Sequence, residues 1–396
     1  MTTTRSLDGV RVLDVTQVMA GPFCAMLLCD MGADVIKVEP PGGDSTRRMP
    51  GAVGTDSPSF NAVNRGKRAV VLDLTHAEGR DAARRLALAS DVLVENYRPG
   101  VMAKFGLGYE ELSQEHPRLV YASISGYGQT GPAAAKGGFD LVAQGVSGLM
   151  SITGEPGRPP VKVGVPITDL GAGLFAVTGI LSALLARATT GRGQHVDTSL
   201  VDAGVALSVW EATQYFSGRG VPEPLGSAHR MNAPYEAIRC ADGYVTIGAA
   251  NDRTFQRLCD ALEHPEWTTN PDYADNARRV THRAALAARI EEVMVRHPRD
   301  HWLALLERHG VPSGPINTYA DVMADPHVLA RELVVDTDHP TLGRIKTLGT
   351  PVKLSDTPLT PGRPAPLLGQ HTDEVLAGVG FSDAEIGSMR ARGTVA

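Results

Sequence analysis

Apolar residues in the first half of the chain fall into short clusters of strand length, divided by stretches with helical spacing. Residues 10–16 read Val-Arg-Val-Leu-Asp-Val-Thr, and residues 35–38, 69–74, 92–96 and 119–124 are further β-rich runs. Between them, residues 22–31 and 77–89 repeat apolar positions at the helical period. Strands alternating with helices predict an α/β fold: a doubly wound, mostly parallel, Rossmann-like sheet. Ligands of such sheets bind beyond the carboxyl ends of the strands. The chemistry is therefore expected after Thr16, Val38, Leu74, Asn96 and Ile124.

From Leu170 the chain runs Leu-Gly-Ala-Gly-Leu-Phe-Ala-Val-Thr-Gly-Ile-Leu-Ser-Ala-Leu-Leu-Ala-Arg and stops at Gly191, which predicts a buried helix with a glycine terminator. Asp169 stands at its mouth. An acid there serves as an N-cap for the first backbone N–H groups, and the helix dipole favours its ionised form. An ionised carboxylate among glycines is also a nucleophile that a substrate can approach. The local sequence leaves both roles open.

The texture changes near Val221. A strand around residues 244–247, helical segments over 254–309 and further short strands after residue 317 predict a smaller α+β domain, with terminal helices at 372–376 and 383–390. The expected division is a large domain over 1–190, a linker over 191–221, a small domain over 222–317, a second linker over 318–351, and a return to the large domain over 352–396. At 396 residues the chain exceeds the usual size of a single core.

Composition narrows the chemistry. A hydrophobic content of 42% suits packed cores, and no run approaches the uninterrupted apolar length of a spanning helix, so no membrane role is expected. The residues after Met1 run toward a strand without the apolar core of a secretory signal, and cytoplasmic residence is the expectation. A net charge of −6 spread along the chain argues against nucleic acid. Cys24, Cys29, Cys240 and Cys259 lack CxxC spacing and read as reduced thiols. Twelve scattered histidines form no ligand pattern, so no metal is expected. Neither GxGxxG nor GxxxxGK[ST] follows a strand, so a redox dinucleotide or a Walker-type phosphate site is not expected. Lys37, Arg65, Lys67, Arg68, Arg98, Lys104 and Lys136 nevertheless lie near the strand ends. Together they suit a ligand with several phosphates.

Several motifs in order resemble the class III CoA-transferases, of the formyl-CoA transferase and carnitine-CoA transferase type. They are Leu7-Asp8-Gly9-Val10-Arg11-Val12-Leu13-Asp14, Ala20-Gly21-Pro22, Met31-Gly32-Ala33-Asp34-Val35-Ile36-Lys37-Val38-Glu39 and Asn64-Arg65-Gly66-Lys67-Arg68. Val94-Glu95-Asn96-Tyr97-Arg98-Pro99-Gly100, Gly126-Tyr127-Gly128 and Gly191-Arg192-Gly193-Gln194 follow. The C-terminal third is most similar to the succinyl-CoA-dependent dicarboxylate branch, through Val311-Pro312-Ser313-Gly314-Pro315-Ile316-Asn317 and Pro366-Leu367-Leu368-Gly369-Gln370-His371-Thr372. Gly248-Ala249-Ala250-Asn251-Asp252 stands where formyl-CoA transferase has a glycine-rich loop, which argues against formate or oxalate as the acid.

The resemblance implies coenzyme A and acyl-CoA as substrates, with Asp169 as nucleophile. It also implies an acyl-CoA donor, a carboxylic and, by the branch it resembles, dicarboxylic acceptor, and an interlocked homodimer. The implied CoA contacts are Gln17, Val18 and Ala20; Leu72, Asp73, Leu74 and Thr75; Asn96, Tyr97 and Arg98; Lys104; and Lys136, Gly137, Gly138 and Phe139. Lys104 replaces a frequent arginine, and Pro40 stands where some members carry a base. Arg47 and Arg48 are offered for the distal carboxylate of a diacid. An aspartate at its ordinary pKa of about 3.9 is ionised at neutral pH, and N–H groups near Gly137-Gly138 or Gly248 are the expected oxyanion donors. Two rivals remain. An α-methylacyl-CoA racemase needs a proton carrier where Phe139 stands, which phenylalanine cannot be. In a non-catalytic CoA-binding protein Asp169 would only cap its helix.

Overall fold

The computed structural model describes residues 4–361 and 363–396, so the reading of Met1 to Thr3 lies outside the described residues. The chain divides into two compact units: one of Met1–Leu149, Lys162–Arg219 and Pro326–Ala396, the other of Met150–Val161 and Gly220–Asp325.

The first unit is built on six parallel strands: β1 (Arg11–Asp14), β2 (Asp34–Glu39), β3 (Arg68–Val71), β4 (Val92–Glu95), β5 (Val120–Ser125) and β6 (His195–Ser199). Their order is β3-β2-β1-β4-β5-β6, the order of the doubly wound fold, which reverses between β1 and β4. Alternation along each strand separates two cores. Leu13, Ile36, Val38, Val70, Leu93 and Tyr121 face one side, where Val375, Leu376, Ile386 and Met389 of the C-terminal helices Thr372–Ala377 and Asp383–Ala391 cover them. Val12, Val35, Val92, Val94, Val120 and Ala122 face the other side, beneath the helices Ala20–Asp30 and Ile167–Thr190.

β6 is the strand the periodicity misses. His195-Val196-Asp197-Thr198-Ser199 holds a single aliphatic residue because it lies at the sheet edge, where little of it is buried. Val196 packs where Gly179 of the long helix leaves room. A Cβ on that glycine would lie 2.6 Å from the valine Cγ1. The expected linker over 191–221 is thereby corrected: it carries β6 and the helices Leu200–Leu207 and Val209–Phe216. The second expected linker carries the hairpin of β10 (Val334–His339) and β11 (Gly343–Leu348), and residues 150–161 belong to the second unit.

Ile167–Thr190 is 24 residues long and apolar enough, by length and composition, to cross a bilayer. That corrects the reading that no stretch approaches this length, because its glycine, serine and threonine positions do not interrupt the apolar run. Ala172, Ala176, Ile180 and Ala183 are buried in the core, whereas Leu174, Phe175 and Leu185 are exposed.

Three of the basic residues expected near a ligand, Lys37, Arg65 and Lys67, are internal, and a fourth, Arg68, is half-buried in ion pairs. The Lys67 ammonium is fully buried and donates to Asp14, Asn64 Oδ1 and the Pro22 carbonyl at 2.8, 2.8 and 2.9 Å, using all three of its donors. Lys37 is fully buried on Asp44, Arg65 is paired with Asp30 at 2.6 Å, and Arg68 with Asp34 at 2.6 Å. Arg47 is also corrected. Its guanidinium forks onto Glu39 through two bonds of 2.7 Å, lies 3.6 Å from the Phe60 ring centre and is shielded from solvent. It holds the structure and is unavailable to a diacid. Arg48 is exposed and donates to the Gly42 carbonyl.

The second unit packs helices around an antiparallel sheet of β7 (Tyr235–Cys240), β8 (Gly243–Gly248) and β9 (Ser313–Pro315). Its core includes Ile238, Val245, Phe255, Trp267 and Trp302. Asn251 caps the helix Asp252–Ala261, exchanging side-chain and backbone bonds with Thr254.

Candidate active site

The loops after β1, β4 and β5 meet at the point where strand order reverses. They enclose a cavity of about 240 Å³ lined by Gln17, Val18, Met19, Ala20, Asn96, Tyr97, Ile124, Ser125, Gly126, Gly138, Phe139, Asp169 and Leu200. Of the residues inferred from sequence, Gln17, Val18, Ala20, Asn96, Tyr97, Gly138, Phe139 and Asp169 come together here.

The first loop is held from three sides. Lys37 Nζ donates to the Thr16 carbonyl at 2.9 Å. Asn96 accepts the Gln17 N–H at 2.8 Å and donates to its carbonyl at 2.7 Å, while Gln17 Nε2 donates to the Tyr97 hydroxyl at 3.0 Å. The Val18 N–H donates to Asp44 Oδ2 at 3.2 Å. Val18 sits at φ +70°, a left-handed conformation that a β-branched residue strongly disfavours and that surrounding bonds must impose. On the opposite wall, Gly126 and Gly138 touch backbone to backbone. A Cβ on Gly126 would lie 2.8 Å from the Gly138 Cα.

Asp169 is the third residue of its helix, and Pro166 occupies the cap position. The expectation that Asp169 caps the helix is therefore corrected. The acceptor is Asp140, which sequence reasoning missed. Its Oδ1 takes the Thr168 N–H at 3.0 Å and the Thr168 hydroxyl at 2.8 Å. Its Oδ2 takes Gln144 Nε2 at 2.8 Å, and Gln144 Oε1 takes the Val163 N–H at 2.8 Å. The only sequence signal was an acid beside Phe139, 28 positions from the helix turn it serves.

With Asp140 meeting those donors, the Asp169 carboxylate has no hydrogen-bond partner among the described residues. Burial, and then the neighbouring Asp140 charge, push its pKa up to about 7. The expectation of a fully ionised acid with an ordinary pKa is thereby corrected. Desolvation outweighs the helix dipole because the carboxylate receives no direct bond.

The remaining inferred contacts lie outside the cavity. Leu72 and Leu74 are core residues, so their side chains cannot flank a ligand. Asp73 is occupied locally, accepting the Thr75 N–H at 2.8 Å and the Thr75 hydroxyl at 2.6 Å. The Arg98 guanidinium lies against Gly137, where a Cβ would come within 2.6 Å of Nη2. Lys104 and Lys136 are exposed. Gly248 is excluded as an oxyanion donor for the cavity, since its N–H donates to the Pro312 carbonyl at 2.9 Å. The Gly137, Gly138 and Phe139 N–H groups carry no such bond among the described residues.

A parallel sheet in this order, with a partnerless acid facing a cavity at its switch point, defines an α/β protein built to engage a ligand at its carboxyl edge. The sequence pattern of CoA-transferase family III matches residues 7–372, and the chain belongs to that family. It is 42% identical to the succinyl-CoA:glutarate CoA-transferase of Homo sapiens over 398 aligned positions, covering 100% of this chain and 91% of that one. It is 42% identical to the succinyl-CoA:mesaconate CoA-transferase of Haloarcula hispanica, covering 95% and 97% of the two chains. A crystal structure of a CAIB/BAIF family protein from Brucella suis superposes with a TM-score of 0.84 at 41% identity, covering 95% of this chain and 99% of that one. The protein is thus a family III CoA-transferase.

Proposed function

We propose that the protein moves CoA from succinyl-CoA to a dicarboxylic acid through covalent intermediates on Asp169. The observation that carries this reading is the unbonded Asp169 carboxylate facing the cavity. A hydrogen-bonded carboxylate would be a weaker nucleophile, and a solvated one would expose an anhydride to water. An Asp169 oxygen attacks the thioester carbonyl, the C–S bond breaks, and CoA thiolate leaves a mixed aspartyl–succinyl anhydride. The thiolate then attacks the aspartyl carbonyl, succinate departs with the anhydride oxygen, and an aspartyl-CoA thioester remains. The acceptor carboxylate displaces the thiolate to form a second anhydride. Thiolate attack on the acceptor carbonyl then releases the new acyl-CoA and restores Asp169. No net proton or ATP is required, because one thioester replaces another.

Gln17, Asn96 and Tyr97 shape the wall against which the pantetheine arm lies. Arg98, Lys104 and Lys136 supply charge for the phosphates, with Asp73 and Thr75 as further CoA contacts. Gly138 and Phe139 line the cavity, and their N–H groups, unbonded among the described residues, are the oxyanion donors of this reading. Phe139 carries no titratable proton, which supports transfer over racemization. The exposed apolar residues of Ile167–Thr190 support association with a second copy, and four unpaired buried cysteines suit a reducing, cytoplasmic setting.

The test is exchange from succinyl-CoA to glutarate, itaconate, malate, citramalate, oxalate and carnitine in turn. Transfer to a diacid is expected, together with hydroxylamine-trapped Asp169 in the wild type and loss of about 10⁴-fold or more in Asp169→Ala. Undiminished exchange in that variant would sink the covalent mechanism.

A further inference from the structure

β4 ends in Glu95, a buried acid whose side chain stands behind the cavity wall. Its Oε2 accepts the Tyr97 N–H at 2.8 Å. That bond closes the turn from which Asn96 grips the Gln17 backbone and Tyr97 receives the Gln17 side chain. The register partner of Glu95 on β5 is Ser123, whose hydroxyl favours the charged form of Glu95. Ser123 Oγ lies 2.9 Å from His195 Nε2 of β6.

We propose that Glu95 is a positioning residue for CoA binding: its carboxylate sets the Asn96–Tyr97 turn, and through that turn the Gln17 loop. It rests on the reading of this pocket as a CoA site. A carboxylate is a stronger acceptor for the Tyr97 N–H than a neutral carboxyl group, so the ionised form holds the turn more firmly. Burial, assisted by Asp197, pushes Glu95 up to about 7, while the Ser123 hydroxyl and the bond from Tyr97 pull in the opposite sense. The other groups around it are Tyr121, tied to the Leu107 carbonyl at 3.1 Å, and His195, stacked on Tyr109 with ring centres 5.0 Å apart. Lys37 and Asp44 act on Tyr97 from the β2 side. The turn is therefore firm above neutrality and loosens below it.

The test is calorimetric binding of CoA itself, with Asp169→Asn as the parent so that Asp169 does not titrate. Adding Glu95→Gln is expected to raise Kd about tenfold at pH 8, the size of one charge-assisted hydrogen bond. The ratio of the two Kd values should fall to about 1 by pH 5.5, where Glu95 is protonated in the parent. Taking the ratio cancels the titration of the CoA phosphates. In an otherwise wild-type enzyme, Glu95→Gln should raise KM for succinyl-CoA and leave kcat within about threefold, whereas general unfolding would lower kcat with the folded fraction. Ser123→Ala keeps the Tyr97 bond and removes the hydroxyl that favours the charged carboxylate, so it should move the pH midpoint of binding upward. A Kd ratio that stays constant with pH, or an unmoved midpoint in Ser123→Ala, overturns the proposal. Absence of CoA binding by the parent and the wild type at every pH overturns the CoA reading of the pocket, and this proposal with it.

Discussion

Asp169 is held in a state that the fold itself disfavours. Its pKa is raised from 3.8 to about 7, so between those values the native state keeps a proton that the unfolded chain has released. Stability contributed by this group is thus full below pH 3.8 and is lost as pH rises toward 7. Asp169→Asn removes the ionisation. It should raise the unfolding free energy at pH 8 by on the order of 2 kcal/mol, with a higher thermal midpoint, and change little at pH 4. Differential scanning calorimetry at the two pH values measures the difference, and equal stability at pH 8 would contradict the buried charge. In the proposed mechanism the attacking form is the ionised one, so kcat/KM should climb with pH through about 7 and then level, as read from initial rates over pH 5.5–8.5. Asp169 stood out in the sequence, because an acid before a long apolar run is a local signal. Its pKa was not legible, since the burial and the Asp140 charge that set it come from elsewhere in the chain.

At the scale of elements, the turn before the long helix separates two tasks that the sequence had assigned to one acid. Asp140 caps the helix, and Asp169 is left free for chemistry. Asp140→Asn keeps an acceptor for Thr168 and removes the charge beside Asp169, so the rate midpoint should move to lower pH with a small change in melting temperature. Asp140→Ala removes the cap as well and should cost a further 0.5–2 kcal/mol or so. An unmoved midpoint in both variants would show that Asp140 does not set the Asp169 pKa. The same scale explains the misplaced cations. Lys37 and Lys67 were expected at phosphates and Arg47 at a diacid, and sequence cannot show that Asp44, Asp14 and Glu39 already neutralise them. Arg47→Ala should destabilise the unit by about 3–5 kcal/mol, because Glu39 is left buried and unpaired. Exposed Arg48→Ala should stay within about 0.5 kcal/mol. Urea unfolding of the two variants distinguishes a structural guanidinium from a substrate ligand. Five of the six parallel strands were legible from their aliphatic runs. The edge strand β6 was not, because it is little buried, whereas the other edge strand, β3, is covered and keeps its aliphatic run.

The whole molecule poses the question of what covers the outer side of Ile167–Thr190. This helix is apolar nearly all round, a pattern that normally marks burial on every side. The sheet and its neighbouring helices cover one side only, and Leu174, Phe175 and Leu185 remain exposed, as do Leu141, Val142 and Val146 of the helix Asp140–Val146. Exposed apolar residues grouped in this way mark an interaction surface. Sequence could not separate the two sides, because the helical period is the same whether the facing surface is the chain's own sheet or another chain. A second copy is the occupant we propose, and the solution mass should then be twice the 41.9 kDa of the chain. Phe175→Glu and Leu185→Glu each place a charge on this face without touching Ala172, Ala176 or Ile180 of the buried side. Light scattering coupled to size exclusion should show both variants shifted toward the mass of a single chain, with exchange activity falling in parallel if the pair of chains completes the site. A wild-type protein that runs as one chain at micromolar concentration, or two variants with unaltered mass, would refute the association. Flotation of the wild type with lipid vesicles would assign the face to a bilayer, the other environment that a helix of this length and composition fits.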